Sequence, residues 1–150
     1  MTLVLSRVSQ NILNFVNENR SKKHIPKLHS DPILMKAALF HSRDMAKNHY
    51  CDHINGEGED PTDRVIKFGF NLNVGYFCGV GENCGQIFTG KVLGMGYIPN
   101  TERGLALGFI EQWRKSPPHW ENTINPDYNL TGIGVARDEK LYYATQVFYG

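Results

Sequence analysis

Six histidines, three cysteines and a handful of carboxylates are the residues of this chain that could do chemistry. The stretch "HYCDH" sets His49 and His53 four apart with Cys51 and Asp52 between them. On one helical turn that spacing makes half a zinc site. Gly56 and Gly58 follow closely, however, so a helix is expected to end inside the stretch. Further on, "FIEQWRKSPPHWENTINP" runs like a helix from Phe109 until Pro117 and Pro118, and His119 comes next. The prolines read as a stop, which turns His119 away from the helix and towards a site. His41 lies on an apolar helical face, where a hydrogen-bonded core histidine is the plainer reading. His24 and His29 sit in a polar connector and are expected in solvent.

Familiar catalytic signatures are missing. There is no H-E-x-x-H, no G-x-S-x-G elbow and no P-loop, and the glycines of "GVGENCG" are followed by no Lys-Ser/Thr pair. A Cys51 nucleophile rests only on its closeness to His53 in sequence, and it would need a depressed thiol pKa. Three cysteines without C-x-x-C spacing leave the redox state open. Cys78 with Cys84, Cys51 with Cys84, or three reduced thiols are the alternatives.

The elements that must position these groups can be read from periodicity. Leu5, Val8, Ile12, Phe15 and Val16 share one face of a first helix, which the basic "RSKKHIPK" ends. Asp31-Pro32 starts a second, lined by Leu34, Ala38, His41 and Met45. "EDPTDRVIKFG" starts a short third helix at Pro61 and stops it at Gly69. From Phe70 to Gly96 we expect loops with one strand near Asn83–Phe88. Thr101 caps a fourth helix carrying Ala106, Phe109, Ile110 and Trp113. "TGIGVA" and "LYYATQVFY" are β-branched and aromatic, and "RDEK" turns between them into an antiparallel hairpin. Helices first and strands last point to an α+β fold with helices on a small, largely antiparallel sheet.

The totals bound the function. A chain of 150 residues, 41% hydrophobic and 21% charged, suits one domain, residues 1–150, with one core. A formal charge of +1 gives no reason to expect nucleic acid. No run approaches the roughly 18 apolar residues of a membrane span. The opening "MTLVLSRVSQ" is too short an apolar run for a signal peptide, which fits a cytoplasmic chain or the mature part of a longer one.

Five segments in order carry a resemblance: "HSRDMAKNHYCDH", "DPTDRVIKFGF", "GEN", "WRKSPPHWENTINPDYNLTGIGVA" and "YYATQVF". They resemble the CAP superfamily of cysteine-rich secretory proteins, antigen 5 and plant pathogenesis-related proteins, from about Ser6 to Phe148. The W-x-x-S-P-x-H and N-P forms look like its prokaryotic SCP-like branch. The resemblance implies a three-layer α-β-α sandwich, an extracellular or cell-surface location, and a cleft of two histidines and two glutamates. His53 and Glu82 match two of those positions. Ser116 and Tyr143 stand where the family has its other glutamate and histidine, and His119 is the replacement the prokaryotic branch offers. Glu111 faces away and is read as a solvated partner of Lys115.

The implied site is thus a metal set of His53, Glu82 and His119, with Asn83, Ser116, Tyr143 and Gln146 lining the cleft and zinc as the candidate ion. A metal-free polar cluster tying loops together is the other reading. Function stays between a binding or signalling module for a small-molecule, lipid or peptide ligand, with no established enzymatic activity, and a zinc-dependent hydrolase. Aromatic residues such as Tyr76, Phe77, Tyr97, Trp120 and Tyr149 are candidates to line an apolar groove, most of the aromatics being core.

Overall fold

A computed structural model describes residues 2–72 and 79–150; Tyr76, Phe77 and Cys78 lie outside the described residues. Helix α1 is Leu5–Lys22. Strand β1 is the short His29–Ser30, followed by α2, Pro32–Asn48, and α3, Pro61–Lys67. Strand β2 is Val80–Phe88, β3 Gly90–Val92 and β4 Gly96–Ile98. Then come α4, Glu102–Arg114, α5, Pro117–Thr123, and the hairpin β5, Leu130–Arg137, with β6, Leu141–Tyr149.

Four strands form the central sheet in the order β1-β5-β6-β2, antiparallel except for the parallel β1–β5 pair. Helices α1 and α4 cover one face. Val8, Ile12, Val16, Phe109, Ile110 and Trp113 meet Ile133, Val135, Ala144 and Phe148 there. Helices α2 and α3 cover the other, through Leu34, Ala38 and Val65 against Val147. Alternation along β6 follows from its side-chain period of two: Ala144 and Phe148 face α4, while Tyr143 and Val147 face α2. The result is the α+β, α-β-α sandwich expected. Helix α2 lies unusually close to β5. A Cβ on Gly134 would stand 2.3 Å from Leu39 Cα, so only glycine allows that approach.

Local chemistry sets the helix starts. Asp31 accepts from the N–H groups of Ile33 and Leu34 at 2.9 and 3.0 Å. Asp60 and Asp63 form a capping box over α3. Thr101 accepts from Gly104 N–H at 2.9 Å. Asp31→Ala should therefore cost about 1 kcal/mol of stability, read by urea unfolding. An unchanged midpoint would mean the cap contributes nothing.

Three expectations need correction. Pro117 and Pro118 do not simply stop a helix. Helix α4 ends at Arg114, and Pro117 opens α5 behind the N-cap Ser116, because proline is pre-organised for the first helical turn and needs no N–H there. Glu111 pairs with Arg114 at 3.1 Å, while Lys115 donates to Gly94 O. Strands β1, β3 and β4 add to the expected set, being too short, at two or three residues each, to show a period.

Candidate metal centre at the edge of the sheet

Glu82 is the centre of the polar cluster. It sits on β2 with its side chain on the α2 face, 6% exposed. A buried carboxylate needs compensation on both oxygens. Oε2 accepts from the Arg64 guanidinium at 2.6 Å. Oε1 accepts from His53 Nδ1 at 2.9 Å and from the Cys84 thiol at 3.1 Å, and His41 Nε2 stands 3.9 Å away. Arg64, itself buried, also donates to the carbonyls of His53 and Glu59, both at 2.9 Å. Helix α3 thereby fastens the loop that carries His53 to the sheet.

His119 reaches the same edge from α5. Its carbonyl accepts from the Asn83 amide at 3.0 Å and from the Thr123 hydroxyl at 3.0 Å. Asn122 donates to Glu82 O and Asn83 Oδ1. These bonds clamp α5 along β2. The His119 ring meets Ser116 Oγ through Nδ1 at 2.7 Å, a bond that exists because the Pro117 turn brings positions three apart together.

The charges follow from these contacts. The hydrogen bond to Glu82 raises the His53 pKa and outweighs its partial burial. Desolvation lowers that of His119, and the charge of His53 adds to the effect. Burial lowers His41 despite nearby Glu82. Glu82 is itself held below its ordinary value: burial opposes ionisation, but His53, Arg64 and His41 together overcome it. Protonated His53 therefore adds stability fully present below about pH 6.5, the unfolded value, and lost as pH rises through its raised folded value. In a histidine NMR titration, His53 should titrate above the ordinary value and His41 and His119 below it. His53 titrating at or below the ordinary value would contradict the pairing.

A second donor group lies deeper. His41, Glu82 and Cys84 offer ligand atoms within 4.8 Å of one another, so together they could hold a metal ion. Their present bonding works against it. His41 Nε2 donates to Asp52 O at 2.7 Å, and burial with the Glu82 charge pushes the Cys84 thiol well up. His41 is the hydrogen-bonded core residue that the sequence suggests, but its closeness to Glu82 is not legible there. Its one signal is a histidine on an otherwise apolar stripe.

Other expected groups separate from the cluster. His49, in a left-handed conformation at the end of α2, pairs with Asp138 at 3.1 Å and not with His53. Tyr143 is buried with its hydroxyl on Asp138, at 3.1 Å. Gln146 projects on the α1/α4 side of β6 beside Asn83 and donates to Thr131 Oγ1. Cys51 and Cys84 are free thiols, so they are not joined. Desolvation and the negative charges of Asp52 and Glu82 raise the Cys51 pKa, the opposite of what a nucleophile needs.

Residues 13–149 match the cysteine-rich secretory protein family, CAP. This chain belongs to that family. The chain is 28% identical over 131 residues to the "uncharacterized membrane protein YlbC" of Bacillus subtilis, covering 87% of this chain but 32% of that protein. It thus spans about a third of the curated relative it matches. Among solved structures, an extracellular SCP-domain protein of Bacillus anthracis is 27% identical, with a TM-score of 0.65 over 94% of this chain and 39% of the other. An outer surface protein of Borrelia burgdorferi is 19% identical with a TM-score of 0.74, covering 99% and 96%. The crystal structure of NaASP2 with Zn2+ shares the fold at 14% identity and a TM-score of 0.62, covering 95% and 78%. These relatives include extracellular and outer-surface proteins. Among the described residues, no helix is long and apolar enough to cross a membrane.

Proposed function

We propose that this single CAP domain, residues 1–150, is an extracellular or cell-surface binding module whose cleft takes a divalent cation, zinc by preference, on His53 and His119. The observation that carries the reading is the state of the two imidazoles. Each has Nδ1 engaged by a protein oxygen, Glu82 for His53 and Ser116 for His119. With those Nδ1 atoms donating, each Nε2 keeps a lone pair, and among the described residues neither Nε2 has a hydrogen-bond partner. An acceptor behind a ligating histidine fixes its tautomer and ring angle, as the Glu82 carboxylate does for His53, and Ser116 Oγ can accept from His119 Nδ1 in the same way. Glu82 then acts mainly behind His53, with Arg64 holding the carboxylate in place. The Zn2+ in the crystal structure of NaASP2, a protein of the same fold, supports the choice of ion. Bound zinc would supply Lewis acidity and an exchangeable position for a small-molecule, lipid or peptide group.

Hydrolysis by a zinc-bound water is less well supported. It needs a base to take the proton, and both Glu82 oxygens are already engaged. Zinc titration by calorimetry, on protein stripped of metal, tests the reading. One site per chain is expected in the wild type, weakened beyond detection in a His53→Ala, His119→Ala double variant. Equal affinity in the two proteins would refute it.

A further inference from the structure

The two edges of the central sheet are treated differently. Along β2, three successive outward carbonyls have donors: Asn122 reaches Glu82 O at 3.2 Å, Trp113 reaches Cys84 O at 3.1 Å, and Gln112 reaches Gln86 O at 3.2 Å. Along β5, the outward bonds come from the segment of β1. His29 N–H donates to Asn129 O and Asp31 N–H to Thr131 O, both at 2.9 Å. Strand parity then turns the N–H and C=O of Ile133 and Val135 towards the same edge. Among the described residues no hydrogen bond reaches them from that side. β1 covers only Leu130 and Thr131, because Pro32 turns the chain into α2.

That open edge is the floor of a groove of about 620 Å³ between α1 and α2. Its walls are largely apolar, including Leu5, Leu13, Met35 and Leu39. The charged residues among those lining it are Arg43 and Arg137. They stand at one end, since α2 crosses β5 with Leu34 over Gly132 and Leu39 over Gly134. Both arginines are exposed, and among the described residues neither has a carboxylate partner. An unpaired edge strand is a template for another strand, and backbone groups of this kind must be satisfied by water or a ligand. An apolar chain alone would leave the Ile133 and Val135 groups unsatisfied. An extended peptide satisfies them, puts alternate side chains on the apolar walls, and can offer a carboxylate to the arginines.

We propose that the β5 edge binds an extended peptide segment by strand addition, with an acidic side chain or C-terminal carboxylate of that peptide held by Arg43 and Arg137. The site is separate from the histidine cleft and does not depend on a metal.

The test uses amide NMR with hydrogen exchange on the whole chain. The probes are acetylated hexapeptide mixtures with a free C-terminus, the same mixtures amidated, and sodium laurate. In the free protein, the Ile133 and Val135 amides should exchange faster than those of Gly132 and Gly134, which face β6. The free-acid mixtures should protect Ile133 and Val135. An Arg43→Ala, Arg137→Ala double variant should bind them roughly tenfold more weakly or worse, as expected for a lost charge-assisted contact. Ser9→Trp, which fills the groove from the half-exposed side of α1, should abolish the effect with the fold intact. Equal protection of all four amides in the free protein would overturn the proposal. So would an effect of laurate without one of peptide, protection that grows with protein concentration alone, or peptide binding that survives Ser9→Trp.

Discussion

Arg64→Met should lower the unfolding free energy at pH 7 by about 3–5 kcal/mol, the usual cost of removing one partner from a buried ion pair. Arg64 is 1% exposed, and its guanidinium makes three contacts: Glu82 Oε2, His53 O and Glu59 O. Methionine has similar length and fills the space, so the loss is electrostatic and not a cavity. It leaves the Glu82 charge buried, with His53 and Cys84 as its remaining donors. The pH dependence gives a second reading. Glu82 has a lowered folded pKa, so it stabilises the wild type above its unfolded value of about 4.3 and loses this as pH falls through the folded value. Without Arg64 that pKa should rise, so the deficit should shrink as pH falls and Glu82 becomes neutral. Urea unfolding at pH 7 and pH 4 measures both. A loss below about 1 kcal/mol at pH 7, within the range of surface pairs, would show that the pair does not hold the cluster together.

Arg64 also marks the limit of what the sequence allows. It sits in "DPTDRVIKFG", where the proline, the acidic cap and the stop glycine announce a helix. Nothing local says that its arginine points inward. Arg20 is the same case: it looks like the start of a basic helix end, yet it is fully buried and donates to the carbonyls of Pro26, Thr123, Asn125 and Tyr128. Arg20 reaches carbonyls more than 100 residues away and Arg64 a carboxylate 18 residues away, and no periodicity encodes such partners. The legible elements are those fixed by neighbours: the caps at Asp31, Asp60 and Thr101, the helix stripes and the C-terminal hairpin. His53 and Glu82 come from resemblance, and their 2.9 Å contact joins residues no local rule connects. Pro117 reads as a stop because a proline after a helical stripe usually is one. The backbone bond from Trp120 N–H to Ser116 O shows it to be a start, and the contacts of Asn83 and Asn122 then hold α5 against β2.

Saturating zinc at one hundred times its dissociation constant should stabilise the wild type by about 2.7 kcal/mol, or roughly 5–10 °C in Tm for a chain of this size. The sign is fixed by linkage, since an ion that binds the native cleft and not the unfolded chain can only raise Tm. His119→Ala removes one of the two proposed ligands and should lose most of the shift. Ser116→Ala leaves both ligands but releases the His119 ring, and should weaken affinity by about 10–100-fold, as other residues behind metal ligands do. Glu111→Ala, on the exposed ion pair with Arg114, should keep the full shift. Protons compete for the same lone pairs. Because Glu82 raises the His53 pKa, the zinc effect should already weaken above about pH 6.5, the ordinary histidine value. Thermal unfolding of the four proteins, with and without zinc, across roughly pH 5.5 to 8 separates the outcomes. An equal shift in wild type and His119→Ala would move the metal to His41, Glu82 and Cys84, and Cys84→Ala would then abolish it. No shift in any protein would leave the cluster as a metal-free tie between α3, α5 and β2, held by Glu82 and its buried arginine.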